Sequence, residues 1–229
     1  MARGWFGSDD VRRWWLSARC APGALKDYYR VDTPTEDTPW TRAEFAAIDL
    51  ETTGLDPDVD DIVSIGLVPI VGGRVVLSGA LRRLVRPTRP VGERAAAVHG
   101  LLDDVLAAAA PLEEVMPEVL AALTGRLPVA HHAKVEREFL TRACRRLYGR
   151  PLEVPYLDTM DLERRLLGRS DTPLAEGMLR LDACRSRRGL PRYRPHDALT
   201  DALACAELFL VQATMLGGAK PAQLRDLLN

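Results

Sequence analysis

Two carboxylates stand two residues apart where a short apolar run ends. Asp49 and Glu51 follow the apolar residues 45–48, and because side chains alternate along a strand, both would point to the same face. Neighbouring carboxylates repel each other and favour a cation between them, and oxygen ligands suit Mg²⁺ or Mn²⁺. The pattern predicts a divalent-cation site, whereas an isolated pair of acids is also typical of a solvated strand end.

A histidine and an aspartate stand five residues apart later in the chain. Pro195 disfavours helix at the residue before it, so a helix is predicted to begin near His196, with Asp201 in its first turns. An imidazole, whose unperturbed pKa is ~6.5, accepts a proton near neutral pH, and a nearby carboxylate can complete a cation site. The alternative is an ordinary helix start in which Asp197 caps the first turn.

A third polar segment holds two adjacent histidines and two glutamates. His131 and His132 would point to opposite faces of an extended segment, so they share one ion poorly. Glu136 and Glu138 open a predicted helix, where acidic side chains also simply complement the helix dipole. The residues alone leave the role of this segment open.

Hydrophobic periodicity predicts the elements that must position these residues. The predicted strands cover residues 44–50, 61–70 and 74–85, with a hairpin turn at 71–74, and then 127–132 and 154–159. The predicted helices cover 92–123 with breaks at Gly100 and Pro111, then 136–149, 159–167, 174–187 and 197–216. Three strands followed by alternating helices and strands indicate an α/β domain with a mixed sheet.

The composition is that of a globular protein. Of the 229 residues 47% are hydrophobic and 28% charged, with a net charge of -1, which argues against a disordered chain, a rod and a globally basic nucleic-acid binder. Local patches remain, and residues 185–194 carry five arginines that are placed to follow a phosphate backbone. Four scattered cysteines without a CxxC pair indicate buried thiols in a reducing compartment. We find no signal core and no apolar run near the ~18 residues that span a bilayer, so we expect a cytoplasmic protein without a membrane partner.

The first residues differ from the rest. They contain all four tryptophans, Trp5, Trp14, Trp15 and Trp40, and end in a connector with two prolines. We expect Trp14, Trp15 and the adjacent Leu16 to pack on the main domain or on a partner. The predicted organisation is an arm and linker over residues 1–42, a main domain over 43–216 and a tail over 217–229 that forms one short helix.

Three ordered motifs and two shorter elements resemble a known family. FAAIDLETTGLDP, LPVAHHAKVEREFL and HDALTDA resemble the three exonuclease motifs of the DnaQ-like 3′–5′ exonucleases, the family of the DNA polymerase III epsilon subunit. The sequences VHGL around His99 and LDT around Asp158 resemble two further elements of that family. His196 precedes Asp201 by five residues, which is the spacing of the histidine subtype, called DEDDh. The tyrosine subtype would carry a tyrosine where this chain has Asp197.

The resemblance implies a ribonuclease H-like fold, a five-stranded mixed sheet flanked by helices. It also implies a two-metal phosphodiester hydrolase that uses two divalent cations, Mg²⁺ or Mn²⁺. The implied metal ligands and catalytic acids are Asp49, Glu51, Glu136 and Asp201, and His196 is the implied base for the attacking water.

The second motif departs from the family pattern. Glu136 stands where most relatives have aspartate, and His132 and Val135 replace asparagine and phenylalanine. The carboxylate at Glu136 is one methylene longer, so it can still hold the second metal but can also reposition it and slow the reaction. Glu138 is the competing acid, but its position does not match the motif.

The resemblance also implies how a nucleic acid is held. Backbone groups near Thr52 and Thr53 would hold the terminal nucleotide, Leu55 would wedge against its base, and His99 and His131 would flank the pocket. For His99 and His131, structural hydrogen bonding is an equal alternative.

The implied substrates are single-stranded or frayed 3′ ends, DNA rather than RNA, in proofreading, repair or end-trimming. A polymerase or another protein is an expected partner. Two alternatives stay open: an exoribonuclease of the same superfamily, and a non-catalytic module that binds nucleic acid or a partner.

Overall fold

The computed structural model describes residues 9–168 and 175–228, which form an α/β arrangement. The strands are β1 (Phe45–Thr52), β2 (Ile62–Val71), β3 (Arg74–Val75), β4 (Leu81–Leu84), β5 (Leu127–Ala130) and β6 (Leu157–Asp158). The helices are α1 (Asp9–Arg19), α2 (Ala24–Arg30), α3 (Glu93–His99), α4 (Asp103–Ala107), α5 (Leu112–Leu123), α6 (Lys134–Tyr148), α7 (Thr159–Leu167), α8 (Leu181–Arg187), α9 (Ala198–Gly217) and α10 (Leu224–Leu228). Trp5 and the first residue of the predicted helix 174–187 lie outside the described residues.

One mixed sheet runs through the domain in the order β3-β2-β1-β5-β6. β1 pairs with β2 in antiparallel register and with β5 in parallel register, and β5 pairs with β6 in parallel register. β3 and β4 both pair with β2, at residues 70–71 and 64–67, so they form one interrupted edge. The sheet thus has five positions across its width, and the expected ribonuclease H-like mixed sheet is confirmed.

The predicted hairpin turn joins β2 to β3. Val71 pairs with Arg74, and the two residues between them, Gly72 and Gly73, have φ of 58° and 71°. A two-residue turn with positive φ at both central positions matches the twist of the flanking strands. Glycine adopts that backbone without a steric penalty.

Two hydrophobic cores lie on opposite faces of the sheet because β1 alternates between them. Ala46, Ile48 and Leu50 belong to the first core, with residues of α2, α5 and α6. Phe45 and Ala47 belong to the second core, with residues of α9 and α10. By the same alternation Asp49 and Glu51 lie on the α9 face.

Helix α9 contradicts the expectation that the chain has no apolar run long enough to span a bilayer. By length and composition it is apolar enough to cross a membrane, with a mean hydropathy of 1.4 over its best window, so the statement that no apolar run approaches that length is wrong. Its apolar residues, including Phe209, lie in the second core, and α9 packs against β1 and β2. The composition of α9 is therefore explained as that of a core helix.

Several predicted elements are shorter than expected. The strand predicted over 74–85 is divided into β3 and β4 by a turn at Leu77–Gly79, and the strand predicted over 127–132 ends at Ala130. The strand predicted over 154–159 is confined to β6, where Leu157 and Asp158 pair with β5. The helix predicted over 174–187 begins only at Leu181, because Gly177 has φ of 78° and the residues around it form turns. Met178 donates its amide to Ala175, which closes the first of these turns.

The described part of the arm packs into the first core. Leu16, Tyr28 and Tyr29 are buried there, whereas Trp14 and Trp15 are 70% and 45% exposed. Leu16 thus packs on the main domain as expected, whereas Trp14 and Trp15 do not, because α1 buries its opposite side. The alternative that they contact a partner stays a prediction.

Buried Arg13 holds the two helices of the arm together. It donates hydrogen bonds to the backbone oxygens of Tyr28 (2.6 Å) and Val31 (3.1 Å). Its guanidinium also lies 4.8 Å from the ring centre of Tyr28. These contacts satisfy a charge that would be costly to bury alone.

Gly66 allows α9 to lie close against the sheet. It pairs directly with Asp49 across the β1–β2 ladder, so the two residues share a face. A Cβ atom at Gly66 would lie 2.0 Å from the backbone oxygen of Ala198 and 2.4 Å from the amide nitrogen of Leu199. The absence of a side chain at this position therefore sets how closely the beginning of α9 approaches Asp49.

We predict that Gly66→Ala lowers the free energy of unfolding by about 1–3 kcal/mol, because the new methyl group meets backbone that cannot rotate away. Gly92→Ala is the matched control, since Gly92 has φ of -65° and no atom within 4 Å of its added Cβ. Because Gly92 is the N-cap of α3, where alanine is less favourable than glycine, the cost of this control should stay within about 1 kcal/mol. Urea denaturation measures both, and equal stabilities of the two variants would contradict the close seating of α9.

Candidate functional site

Four carboxylates from three elements of the chain meet at the end of β1. Asp49 and Glu51 come from β1 itself, Glu136 from the first turn of α6 and Asp201 from the first turn of α9. Burial raises the pKa of Asp49 well above its usual value, and the negative charges of Glu136, Asp201 and Glu51 raise it further. The structure therefore brings together all four acids that the sequence predicted.

Like-charge repulsion marks this cluster. Burial raises the pKa of Glu51 to about 7, with further contributions from Asp201 and Asp197. Burial also raises the pKa of Asp201 above its ordinary value. One ligand atom from each of Glu51, His196 and Asp201 lies within 4.8 Å of the others. Such spacing suits a cation that several oxygens share.

Glu136 is the least exposed of the four acids. Its residue is 4% exposed, and its Oε2 atom has no hydrogen-bond donor among the described residues. Burial, followed by the charges of Asp158 and Glu51, raises its pKa to about 8. A buried carboxylate oxygen without a donor is costly unless a cation faces it, so the residues fit a divalent metal. Glu138 instead points away and pairs with Lys134 at 3.9 Å.

Helix α9 begins with a network that fixes His196 beside the carboxylates. Asp197 is the N-cap and accepts hydrogen bonds from the amide (3.0 Å) and hydroxyl (2.9 Å) of Thr200. Burial alone would raise the pKa of Asp197, but the Thr200 bonds and Arg82 at 2.9 Å lower it. Asp201 accepts the amide of His196 through Oδ2 at 2.7 Å. The predicted helix start, cap included, is confirmed.

His196 and His132 share an unusual backbone. Both have φ of 68°, and they are the two non-glycine residues with positive φ in the part of the chain that is described. This left-handed conformation costs free energy for residues with a Cβ. Both amides donate to carboxylates, His196 to Asp201 and His132 to Asp158 at 2.9 Å, and these bonds help hold the strained backbone.

Asp158 is a positioning residue whose role the sequence did not show. Its carboxylate accepts the amides of His132, Ala133 and Met160, each at 2.9 Å. It thus caps α7 and also holds the turn that leads into α6. Because Glu136 lies in the first turn of α6, this carboxylate sets where Glu136 enters the cluster. The LDT element indicated the position but not the double cap.

Gly66 is a second residue that the sequence analysis missed. The available signal was a lone glycine inside a strongly apolar strand, which often marks a close backbone approach. The position of Gly66 opposite Asp49 is visible only once β1 and β2 are paired.

His131 uses both ring nitrogens within the protein. Nε2 lies 2.7 Å from the backbone oxygen of Leu179, which can only accept, so Nε2 carries a proton. Nδ1 of the neutral ring lies 2.8 Å from the hydroxyl of Thr159, which is also 3.2 Å from the backbone oxygen of Ala130. Burial lowers the pKa of His131, which favours that neutral form. His131 also lines a cavity beside the cluster, but these bonds support the structural alternative for this residue.

His99 lies near His196, and only one of its two ring nitrogens has a hydrogen-bond partner among the described residues. Burial and the neighbouring His196 lower its pKa. Its Nδ1 accepts the amide of Leu101 at 3.1 Å, while its Nε2 is buried without a partner among the described residues. The structure therefore leaves one polar atom of His99 without a hydrogen bond from the described residues.

The loop after β1 is closed by a single carboxylate. Asp60 accepts the hydroxyl of Thr53 (3.0 Å) and the amide of Asp56 (2.9 Å). Thr52 donates its hydroxyl to the backbone oxygen of Gly54 at 2.6 Å. Leu55 stands at the tip of this loop and is 82% exposed, which leaves its side chain free for a contact outside the chain.

The arginines of residues 185–194 are mostly engaged inside the protein. Arg187 and Arg188 both pair with the buried carboxylate of Glu163, at 2.7 and 2.9 Å. Arg185 is 3% exposed and pairs with Glu207 at 2.8 Å. Arg187, Arg192 and Arg194 are the exposed residues among the five. The expectation that five arginines track a phosphate backbone is thus wrong for three of them.

The comparisons with known proteins agree with this geometry. The family model described as Exonuclease (RNase_T) matches residues 46–209. The PolC-type DNA polymerase III of Thermotoga maritima is 35% identical over 77% of the chain, a segment that covers only 12% of that relative. The DNA polymerase III epsilon subunit of Aquifex aeolicus is 27% identical over 72% of the chain and 78% of its own length.

A solved structure with a similar fold also matches at 27% identity. It is Exonuclease X in complex with 5′ overhanging duplex DNA, with a TM-score of 0.61 over 81% of this chain and 99% of that one. The family match covers more than half of the chain, and the motif order and the fold agree with it. The chain therefore belongs to the exonuclease (RNase_T) family, and relatives that match it are named as DNA polymerase III PolC-type and epsilon proteins.

Proposed function

We propose that this protein is a metal-dependent 3′–5′ exonuclease that releases nucleoside 5′-monophosphates from single-stranded or frayed DNA 3′ ends. The observation that carries the proposal is the convergence of Asp49, Glu51, Glu136 and Asp201 at the end of β1, with His196 beside Glu51 and Asp201. The family to which the chain belongs depends on divalent metal ions. Relatives named as polymerase III proteins support a replicative or repair setting, a polymerase partner and a cytoplasmic location.

The four carboxylates would hold two divalent cations, Mg²⁺ or Mn²⁺. When bound, such ions supply the positive charge that lowers the pKa of the attacking water and offsets charge on the scissile phosphate. The protein's contribution is to hold the acids together against their mutual repulsion. Asp49 would serve both ions, Glu51 and Asp201 the one near the attacking water, and Glu136 the other.

His196 would accept the proton of the attacking water. His196 is exposed to solvent, and one of its ring nitrogens lies within 4.8 Å of a carboxylate oxygen of Glu51 and of Asp201. The bond from its amide to Asp201 fixes the backbone that carries the ring. A positioned general base typically contributes about 10²–10⁴-fold to the rate.

The terminal nucleotide would lie against the loop after β1. Backbone groups at Thr52 and Thr53 would hold it, and exposed Leu55 would wedge against its base. His99 would flank this pocket, whereas His131 would act mainly by fixing the chain around Leu179. Residues 43–216 would form the exonuclease domain, with residues 1–42 as its arm and 217–229 as its tail.

The direct test uses purified full-length protein with 3′- and 5′-labelled single-stranded DNA and RNA. We expect stepwise loss from the 3′ end of DNA with Mg²⁺ or Mn²⁺ and no loss with EDTA. His196→Ala should lower kcat by about 10²–10⁴-fold. Faster degradation of RNA would favour an exoribonuclease, and binding without turnover under either metal would favour a non-catalytic module.

A second prediction concerns stability. In EDTA, Asp49→Asn should raise the free energy of unfolding by at least about 1 kcal/mol, because it removes a charge that its neighbours repel. Mg²⁺ or Mn²⁺ should raise the Tm of the parent protein, since a cation that binds only the folded state stabilises it. The variant should lose most of that rise. A metal-induced shift of equal size in both proteins would show that the ion binds elsewhere.

A third prediction separates the two glutamates of α6. Glu136→Gln should lower activity by about 100-fold or more, because changes that merely reorient metal ligands already cost 10- to 100-fold. Glu138→Gln, the same change two residues later on an exposed side chain, should leave activity within a factor of two or so. Initial rates on labelled DNA at saturating Mg²⁺ measure both. The reverse ranking would transfer the role to Glu138.

A further inference from the structure

The cavity beside the carboxylates extends well beyond them. Its volume is about 1020 Å³, at the upper end of the range that holds small ligands. Asp49, His196 and Asp201 line it together with residues of α8 and of the loop before α9, among them Arg192 and Tyr193. Of the described residues that line it, none belongs to the loop after β1 or to α3. The loop after β1 and His99, proposed for the terminal nucleotide, thus lie outside this cavity, whereas His131 lines it.

Tyr193 is held rigidly in the cavity wall. The guanidinium of Arg185 lies 4.6 Å from its ring centre, and its hydroxyl donates to Glu207 at 3.0 Å. Arg185 is itself anchored, since it donates to Ala204 (2.6 Å), Pro191 (2.9 Å) and Glu207 (2.8 Å) through its buried head. Tyr193 nevertheless remains 37% exposed, so the fixed ring offers its remaining surface to the cavity.

We propose that Tyr193 stacks on a base that lies 5′ to the scissile phosphate, and that this cavity is the subsite for upstream nucleotides of a single strand. The inference rests on the proposed function, because the carboxylates fix where the scissile phosphate lies. The terminal nucleotide occupies one side of that phosphate, so the strand continues into the cavity on the other. Exposed Arg192 beside Tyr193 supplies a partner for a backbone phosphate.

The chemistry of this subsite defines the substrate class. Stacking on an aromatic ring tolerates any base, because every base has a π-face. It requires an unpaired base, since the bases of a duplex already stack on their neighbours. The subsite therefore selects unpaired strands at least two or three nucleotides long without selecting a sequence.

Fluorescence of 2-aminopurine tests the contact directly. Decamers carry the probe at the first, second, third or sixth base from the 3′ end, and they are bound to full-length protein in the Asp49→Asn background to prevent cleavage. We expect quenching at the second or third base that Tyr193→Ala abolishes and Tyr193→Phe retains. Loss of one stacked base should weaken binding about 5- to 30-fold. Unchanged quenching in Tyr193→Ala, or quenching lost only at the terminal base, would overturn the inference.

Kinetics on active protein provide the second measurement. The p-nitrophenyl ester of thymidine 5′-monophosphate has no upstream base, so it reports the catalytic centre alone. We compare kcat/KM for the decamer with kcat/KM for the ester. Tyr193→Ala should lower the first relative to the second by about 5- to 30-fold. An unchanged ratio of the two values contradicts the subsite. If the parent protein hydrolyses neither substrate, the proposed function fails, while the quenching pattern still decides whether Tyr193 binds a base.

Discussion

Repulsion among four carboxylates at the end of β1 is the constraint on which the rest of the structure depends. Burial and mutual charge raise the pKa of Asp49, Glu51, Glu136 and Asp201, so each acid destabilises the fold when it ionises without a cation. The two hydrophobic cores on either face of the sheet supply the opposing free energy. The domain can therefore hold the acids in place before a substrate or an ion arrives.

Carboxylates also position the site through backbone amides. Asp158 holds the turn into α6, Asp197 caps α9, and Asp201 accepts the amide of His196. Asp201 thus has two roles, because one oxygen fixes the backbone of His196 while its charge belongs to the cluster. Strain at His132 and His196 occurs at these same bonds, which agrees with the tendency of strained backbone to collect at functional sites.

Local patterns predicted what local geometry controls. The spacing of Asp49 and Glu51 predicted one shared face, and Pro195 with Asp197 predicted the start of α9, both of which the structure contains. The choice of Glu136 over Glu138 came from the family motif, since periodicity alone left both open. Features that depend on distant pairing were missed: the close approach at Gly66, the double cap by Asp158 and the exposure of Trp14.

The basic segment before His196 shows that the number of arginines in a sequence does not predict how much positive charge the surface presents. Arg187 and Arg188 neutralise Glu163, which Gln212 also contacts at 3.0 Å inside the protein. Arg185 joins α8 to α9 and supports Tyr193. These arginines are therefore engaged by acids and backbone inside the protein, and Arg185 also forms part of the cavity wall. With a net charge of -1 for the chain, attraction of a polyanion has to come from a few exposed cations near the site and from the metal positions. Shape and stacking then carry a larger share of strand recognition than a basic surface would.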